Sequence, residues 1–173
     1  MFRIEALSDR HHRKGFASAS EPLSRYLHTQ VSQDVRRRIT TCWVAVSAEW
    51  SVERSAERQA GELAPVLAYY TLAASSVLLT DLPAETTKKL PRYPSVPVAR
   101  MGRLAVHQRL AGQRLGSALV WDARQRAMSS ALAAFAMVVD AKDEVAAAFY
   151  RHLGFQAFGQ RPLQLFLELP KPG

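Results

Sequence analysis

The sequence predicts a mixed α/β domain, and three observations predict it. Apolar runs of strand length recur along the chain, as at Thr40–Ser47, Val66–Thr71 and Leu163–Leu169. Between them lie segments whose apolar residues recur every three and four positions, the spacing of one helix face. The last third then alternates helix, strand, helix and strand. At 173 residues, 48% apolar and 22% charged, the chain suits one globular domain, 1–173, with one core.

Phe2–Leu7 reads as the first strand, and Ser8-Asp9 as a helix cap opening a weakly patterned segment. Leu23, Tyr26 and Leu27 are spaced as one helix face. Val31, Val35 and Ile39 carry an i,i+4 stripe along a second helix, with Arg36–Arg38 on its solvent side. Thr40–Ser47 is rich in β-formers and reads as a strand. Trp50–Ala60, with Glu53, Arg54, Glu57 and Arg58, reads as a polar, extended connection. Val66–Thr71 is a strong strand that continues towards Leu79 after a bend at Ser75-Ser76.

Leu82–Pro97 contains four prolines, and its Lys88–Pro94 portion is no regular central strand, because proline has no amide hydrogen to donate. A loop of that length in a compact domain usually has a task. Val98–Val106 returns to strand. The next helix runs from Leu115 to about Met128, with Leu115, Ala118, Leu119 and Ala123 on one face. Ala131–Asp140 reads as a buried strand of the parallel type. Asp143-Glu144 suit the start of a helix that passes Ala146, Phe149, Tyr150 and Leu153 and stops at Gly154. Leu163, Leu165, Leu167 and Leu169 then alternate with Gln164, Phe166 and Glu168 as a closing strand.

The formal net charge is +8. Such a surface attracts polyanions and speeds their encounter: nucleic acid, an anionic cofactor or an acidic protein. Basic clusters stand at Arg10–Lys14, at Arg36–Arg38 and at Lys88-Lys89 with Arg92; taken singly, each reads as a solvated face. A lone Cys42 excludes an intrachain disulfide and fits a reducing compartment. The first residues carry no apolar run of signal length, and Ala131–Val139 is about half of the ~20 residues a membrane helix needs. The expectation is a soluble, cytoplasmic protein. No His, Cys and carboxylate set has metal-ligand spacing, so no metal is expected. His107 and His152 read as surface residues.

The chemistry concentrates in Arg103–Ala123. A strand end, Arg103-Leu104-Ala105-Val106, leads to a turn with two glycines, Ala111-Gly112-Gln113-Arg114-Leu115-Gly116, which opens straight into a helix. The first amides of a helix lack internal partners and carry partial positive charge, so a pyrophosphate is the natural guest. Neither the dinucleotide fingerprint nor the nucleotide P-loop is present. The segment resembles the coenzyme A loop of the GCN5-related N-acetyltransferases (GNAT), Q/R-x-x-G-x-G/A. With Gly116 as its sixth position, Ala111 and Arg114 depart from it. A register starting at Arg109 restores positions one and four but sets Arg114 at the small sixth position. The first register is preferred, because the helix Ser117–Ala123 then falls into line. A side chain at Arg114 limits close backbone approach, while its guanidinium offers a pairing group for phosphate.

A second motif adds discrimination. Ala146–Phe155 (AAAFYRHLGF) resembles the GNAT run A-x-x-F-Y-x-x-x-G-F, and it follows the loop in the right order. The resemblance narrows further. Leu23–Leu27, Gln33–Arg38, Ala68–Leu72, Leu90–Pro97 and Gly102–Val106 are similar to the GNAT toxins of bacterial type II toxin–antitoxin systems, over nearly the full chain.

The resemblance implies a single-domain GNAT acyltransferase fold, α/β, with a mixed, mostly antiparallel sheet, a splayed central strand pair and flanking helices. It implies acetyl-CoA as acyl donor and the α-amine of an aminoacyl-tRNA as acceptor, which blocks translation. A homodimer and a ribbon-helix-helix antitoxin are its implied partners. The cofactor would meet Leu104, Ala105, Val106, Ala111, Gly112, Gln113, Arg114, Leu115, Gly116, Ser117 and Phe149. Arg103, Lys88, Lys89 and Arg92 would face the RNA, Arg103 beside the acceptor; its plainer reading is a structural ion pair. Asp143 stands where many GNAT enzymes have Asn.

The reaction such a site needs also fits the residues. A free α-amine titrates near 7.7–8.0, so about a tenth is neutral at pH 7 and no strong base is required. Tyr150 is the expected general acid for the leaving thiolate, and main-chain amides near Leu104 and Val106 the expected grip on pantetheine and carbonyl. Two other readings stand: a GNAT acting on a small amine or a protein N-terminus, and a catalytically weak relative that only binds tRNA or antitoxin.

Overall fold

The computed structural model describes residues 1–50 and 61–172. The polar connection expected at Trp50–Ala60 therefore lies, beyond Trp50, outside the described residues. In chain order the elements begin with β1 (Phe2–Ala6), β2 (His11–His12), α1 (Glu21–Thr29), α2 (Val31–Arg36), β3 (Thr41–Ser47), β4 (Ala64–Pro65) and β5 (Ala68–Leu78). There follow α3 (Ala84–Thr87), β6 (Ser95–Val106), α4 (Leu115–Ser129), β7 (Ala136–Asp140), α5 (Glu144–His152), β8 (Gln156–Ala157) and β9 (Gln164–Glu168). Seven strands form one sheet in the order β1-β3-β5-β6-β7-β9-β8, while β2 and β4 make a separate small ladder. β1 with β3, β7 with β9 and β8 with β9 are antiparallel; β6 with β7 is parallel. The mixed, mostly antiparallel seven-stranded sheet with flanking helices is the fold expected.

The chain divides into two compact units: Met1–Thr71 with Arg103–Asp122, and Leu72–Gly102 with Ala123–Gly173. In the first, β3 turns Cys42, Val44 and Val46 onto Tyr26, Leu27 and Val31 of the helices, with Phe16, Tyr69 and Ala105. The expected helix at Ser8-Asp9 does not form. The Ser8 amide donates to His11 Nδ1 at 2.9 Å, closing a turn, and His11–His12 pair with Ala64–Pro65. The second helix is shorter than its stripe. Arg38 takes a left-handed φ of 59°, and the Ile39 amide returns to the Asp34 carbonyl at 2.9 Å. That is a Schellman stop made on an arginine. It leaves Ile39 64% exposed rather than on the helix face.

In the second unit, Val77, Leu82, Val96, Val98, Ala136, Val138, Phe158 and Phe166 form the core. β6 starts at Ser95, three residues before the expected strand, and includes Pro97. Pro97 acts there as an acceptor, its carbonyl receiving the Phe135 amide at 2.8 Å, so its missing hydrogen is not called upon. β7 is shorter than the apolar run Ala131–Asp140: Leu132 is 72% exposed and its amide is held by the Ser130 hydroxyl in a turn. β9 buries both Leu165 and Phe166, because it lies between β7 and β8 and is not an edge. The two-residue β8 and the single turn of α3 inside the proline-rich loop were not predicted; both are too short to carry a period.

Candidate active site

In the first unit the end of β6 leads into the glycine turn. β6 pairs with β7 only over Val98–Met101 against Ala136–Val139. Gly102 to Val106 continue without a β7 partner in that register. Ala105 is buried in the core, Leu104 and Val106 are half-buried, and the His107 amide ties the strand end to the Leu67 carbonyl at 2.8 Å. A 3-10 turn over Gln108–Leu110 follows, and then Ala111, Gly112, Gln113 and Arg114, all exposed.

Two residues of that turn are left-handed, Gly112 at φ 78° and Arg114 at φ 59°. The Arg114 carbonyl accepts the Ala118 amide at 3.2 Å, so Arg114 itself caps the helix. Gly116 lies inside α4 rather than in the turn. Among the described residues, the amides of Gly112, Arg114, Leu115, Gly116 and Ser117 donate to nothing. Free amides around left-handed residues at a helix start suit an anion, and the helix dipole favours one there. A Cβ built on Gly112 meets nothing within 4 Å, so the space in front of it is open. The arrangement fits a pyrophosphate.

Arg103 has no ion-pair partner among the described residues, against its plainer reading. Its guanidinium carbon lies 3.5 Å from the centroid of the Tyr26 ring. Tyr26 in turn donates to Asp34 at 2.8 Å, and Gln30 donates to the other Asp34 oxygen at 3.0 Å. Tyr69 stacks beside Tyr26 with centroids 6.5 Å apart, its hydroxyl held by the Leu23 carbonyl at 2.6 Å. Gln30 and then Tyr26 hold the Asp34 carboxyl below its usual range. Sequence reading took Tyr26 for a core residue and gave Asp34 no role. Their common spacing of four through Gln30, which joins α1 to α2, was the available signal.

In the second unit, Asp143 caps α5, its carboxylate accepting the Ala146 amide at 2.8 Å. The helix ends at Gly154, whose φ of 97° lets the Phe155 amide return to the Tyr150 carbonyl at 3.1 Å. This stop also brings the Phe155 ring edge-on to Tyr150 at 5.4 Å, opposite Phe149 at 5.1 Å. Tyr150 is thus fixed by backbone and by two rings, and only 7% exposed. Its hydroxyl has no hydrogen-bond partner among the described residues, yet is not among the atoms closed off from solvent. Burial pushes the phenol above its ordinary range, so it stays protonated.

The remaining candidates are dispersed on the surface of the second unit. Lys88 pairs with Glu85 at 3.1 Å, and Lys89 and Arg92 are exposed. Among the described residues no group of three potential ligands could hold a metal ion, and no helix is long and apolar enough to cross a membrane.

Comparison with known proteins matches residues 33–155 to the Acetyltransferase (GNAT) family. A "tRNA-acetylating toxin" of Mycobacterium tuberculosis (strain ATCC 25618 / H37Rv) is 36% identical over 104 residues, 59% of this chain. The match spans 61% of that toxin's length. A crystal structure of a tyrosine-to-phenylalanine mutant of KacT superposes with TM-score 0.83 at 27% identity, covering 97% of this chain and 95% of the other. AtaT complexed with acetyl-methionyl-tRNAfMet gives 0.82 at 30% identity, again covering 97% and 95%. A tyrosine-to-phenylalanine mutant of AtaT, bound to the C-terminus of the antitoxin AtaR and acetyl-CoA, gives 0.74 at 25% identity over 97% and 93%.

Proposed function

The chain belongs to the Acetyltransferase (GNAT) family, and on that footing we propose that it transfers acetyl from acetyl-CoA to the α-amine of an aminoacyl-tRNA. Translation stops because the acylated amine no longer attacks. The protein acts in the cytoplasm as one GNAT domain over 1–173, as a homodimer restrained by a ribbon-helix-helix antitoxin. The tRNA-acetylating relative and the tRNA-, antitoxin- and acetyl-CoA-bound AtaT structures support this reading. So does the +8 charge, which suits a polyanionic acceptor.

The observation that carries the proposal is Tyr150: a phenol kept protonated by burial, with a hydroxyl free of partners among the described residues and still accessible. Acetyl-CoA, when bound, supplies an acetyl group already activated as a thioester. The free amides of Gly112 and of Arg114 to Ser117 hold its pyrophosphate, with Ala111 and Gln113 flanking them. The main chain at Leu104, Ala105 and Val106 would hold its arm, and Phe149 is assigned to the same cofactor by resemblance to the family. Tyr150 gives the departing thiolate its proton. Arg103 meets the anionic acceptor end, with Lys88, Lys89 and Arg92 further out. Solved structures of the relatives KacT and AtaT include tyrosine-to-phenylalanine mutants.

The test is transfer of label from acetyl-CoA to a full set of charged tRNAs. The expected result is acetylated aminoacyl-tRNA, with turnover that falls steeply with salt. Label appearing on small amines or peptide N-termini, with charged tRNA untouched, would favour the small-acceptor reading. No transfer to any amine would favour the binding-only one.

A further inference from the structure

A guanidinium packed on an aromatic face, with no carboxylate in salt-bridge contact, leaves its N–H donors for a ligand. Arg103 meets that description among the described residues. What lies beneath it is also specified. The Tyr26 ring is braced by Tyr69 on one side, and its hydroxyl donates to a carboxylate that is itself fixed by Gln30. A phenol donating to an anion gains negative charge on its oxygen and ring, which strengthens its attraction for a cation lying on its face. Asp34 thus acts on Arg103 both across space and through the ring, while making no salt bridge with the guanidinium; its own two oxygens accept from Tyr26 and Gln30.

From this geometry we infer that Tyr26 and Asp34 are positioning residues, presenting the Arg103 guanidinium as a preset seat for a phosphate of the acceptor RNA. The inference rests on the proposed reaction for the identity of the ligand; the seat itself rests on the contacts alone. A direct ion pair at Arg103 would have neutralised the charge. A ring holds the same group in place and keeps its donors available. Because the seat is assigned to the acceptor, its loss is expected to weaken charged tRNA and spare acetyl-CoA.

The experiment compares Tyr26→Leu, Tyr26→Phe, Asp34→Asn and Arg103→Met, singly and with Arg103→Met as background, using unfractionated aminoacyl-tRNA and acetyl-CoA. Tyr26→Leu is expected to raise the KM for charged tRNA about fivefold to tenfold, by loss of the ring. The KM for acetyl-CoA should stay unchanged. Tyr26→Phe keeps the ring and loses only the carboxylate link, so its effect should be smaller, about twofold, as should that of Asp34→Asn. On the Arg103→Met background none of these changes should add to the defect. Additive effects, or a rise in both KM values together, overturn the inference, because either marks general loosening of the core. A second readout is independent of turnover: the Arg103 Nε proton resonance should be shifted upfield by the ring in the wild type and revert in Tyr26→Leu. If no charged tRNA is acetylated, the proposed reaction fails while this shift still decides the seat. An unshifted resonance in the wild type overturns the seat whatever the reaction.

Discussion

The end of β6 with its glycine turn, and the end of α5, place their chemistry in opposite ways. From Gly112 to Ser117 the proposed working groups are main-chain amides, those of Gly112 and of Arg114 to Ser117, which donate to nothing among the described residues around two left-handed residues and a helix start. At Tyr150 the proposed working group is one side-chain oxygen, held by a Schellman stop and two rings. The difference teaches where the chain tolerates change. A seat of several amides survives loss of any one side chain and answers only to backbone geometry. A single phenol survives changes around it and not the loss of its oxygen. On the proposed reading, Ala111 and Arg114 can depart from the usual loop pattern because the amides of Gly112 and of Arg114 to Ser117 are still free among the described residues.

Mutations can break or sharpen that contrast. The largest effect is expected at the oxygen: Tyr150→Phe should lower kcat about 100-fold or more and leave the KM for acetyl-CoA alone, measured with saturating charged tRNA. Next is backbone geometry. Gly112→Ala puts a Cβ into open space but at φ 78°, costing roughly 1 kcal/mol. Titration should show the KM for acetyl-CoA raised about fivefold with kcat little changed. An equal loss of kcat would mean that the turn and the phenol do not act separately. Smaller still, Lys89→Ala with Arg92→Ala should raise the KM for charged tRNA about twofold to threefold at low salt and not at all at high salt. The smallest change has the opposite sign. Arg114→Gly removes a side chain from a left-handed site, so thermal melting should show about 0.5 kcal/mol of added stability with acetyl-CoA binding within about twofold.

The sequence made legible what has a period or a fixed motif. The strands β1, β3, β5 and β9, the helices α1, α4 and α5, the cap at Asp143 and the stop at Gly154 all follow from residues that force them. Ser8, Ile39 and Leu132 were misread because each satisfied a local pattern that a hydrogen bond overrode: to His11, to the Asp34 carbonyl and to Ser130 respectively. Pro97 was excluded from a strand because its carbonyl's role as acceptor leaves no mark in the sequence. At the site, the loop and Tyr150 were legible as motifs. The seat of Arg103 was not: a cation meeting a ring 77 positions away in the chain is tertiary, and only the fold brings Tyr26 beneath it.

The measurement closest to the central claim is the pH dependence of kcat for acetyl transfer to charged tRNA. The acceptor must be neutral, so the rate should rise as the α-amine loses its proton at about pH 7.7–8.0. The donor must remain protonated. Because burial raises the Tyr150 phenol, the folded protein holds that proton beyond the ordinary phenol value of about 10. The account therefore predicts a rise to a plateau that runs to about pH 10 without a falling limb, with Tyr150→Phe lowering the whole profile. A falling limb between about pH 6 and 9, retained in Tyr150→Phe, would assign the proton to another group and contradict it.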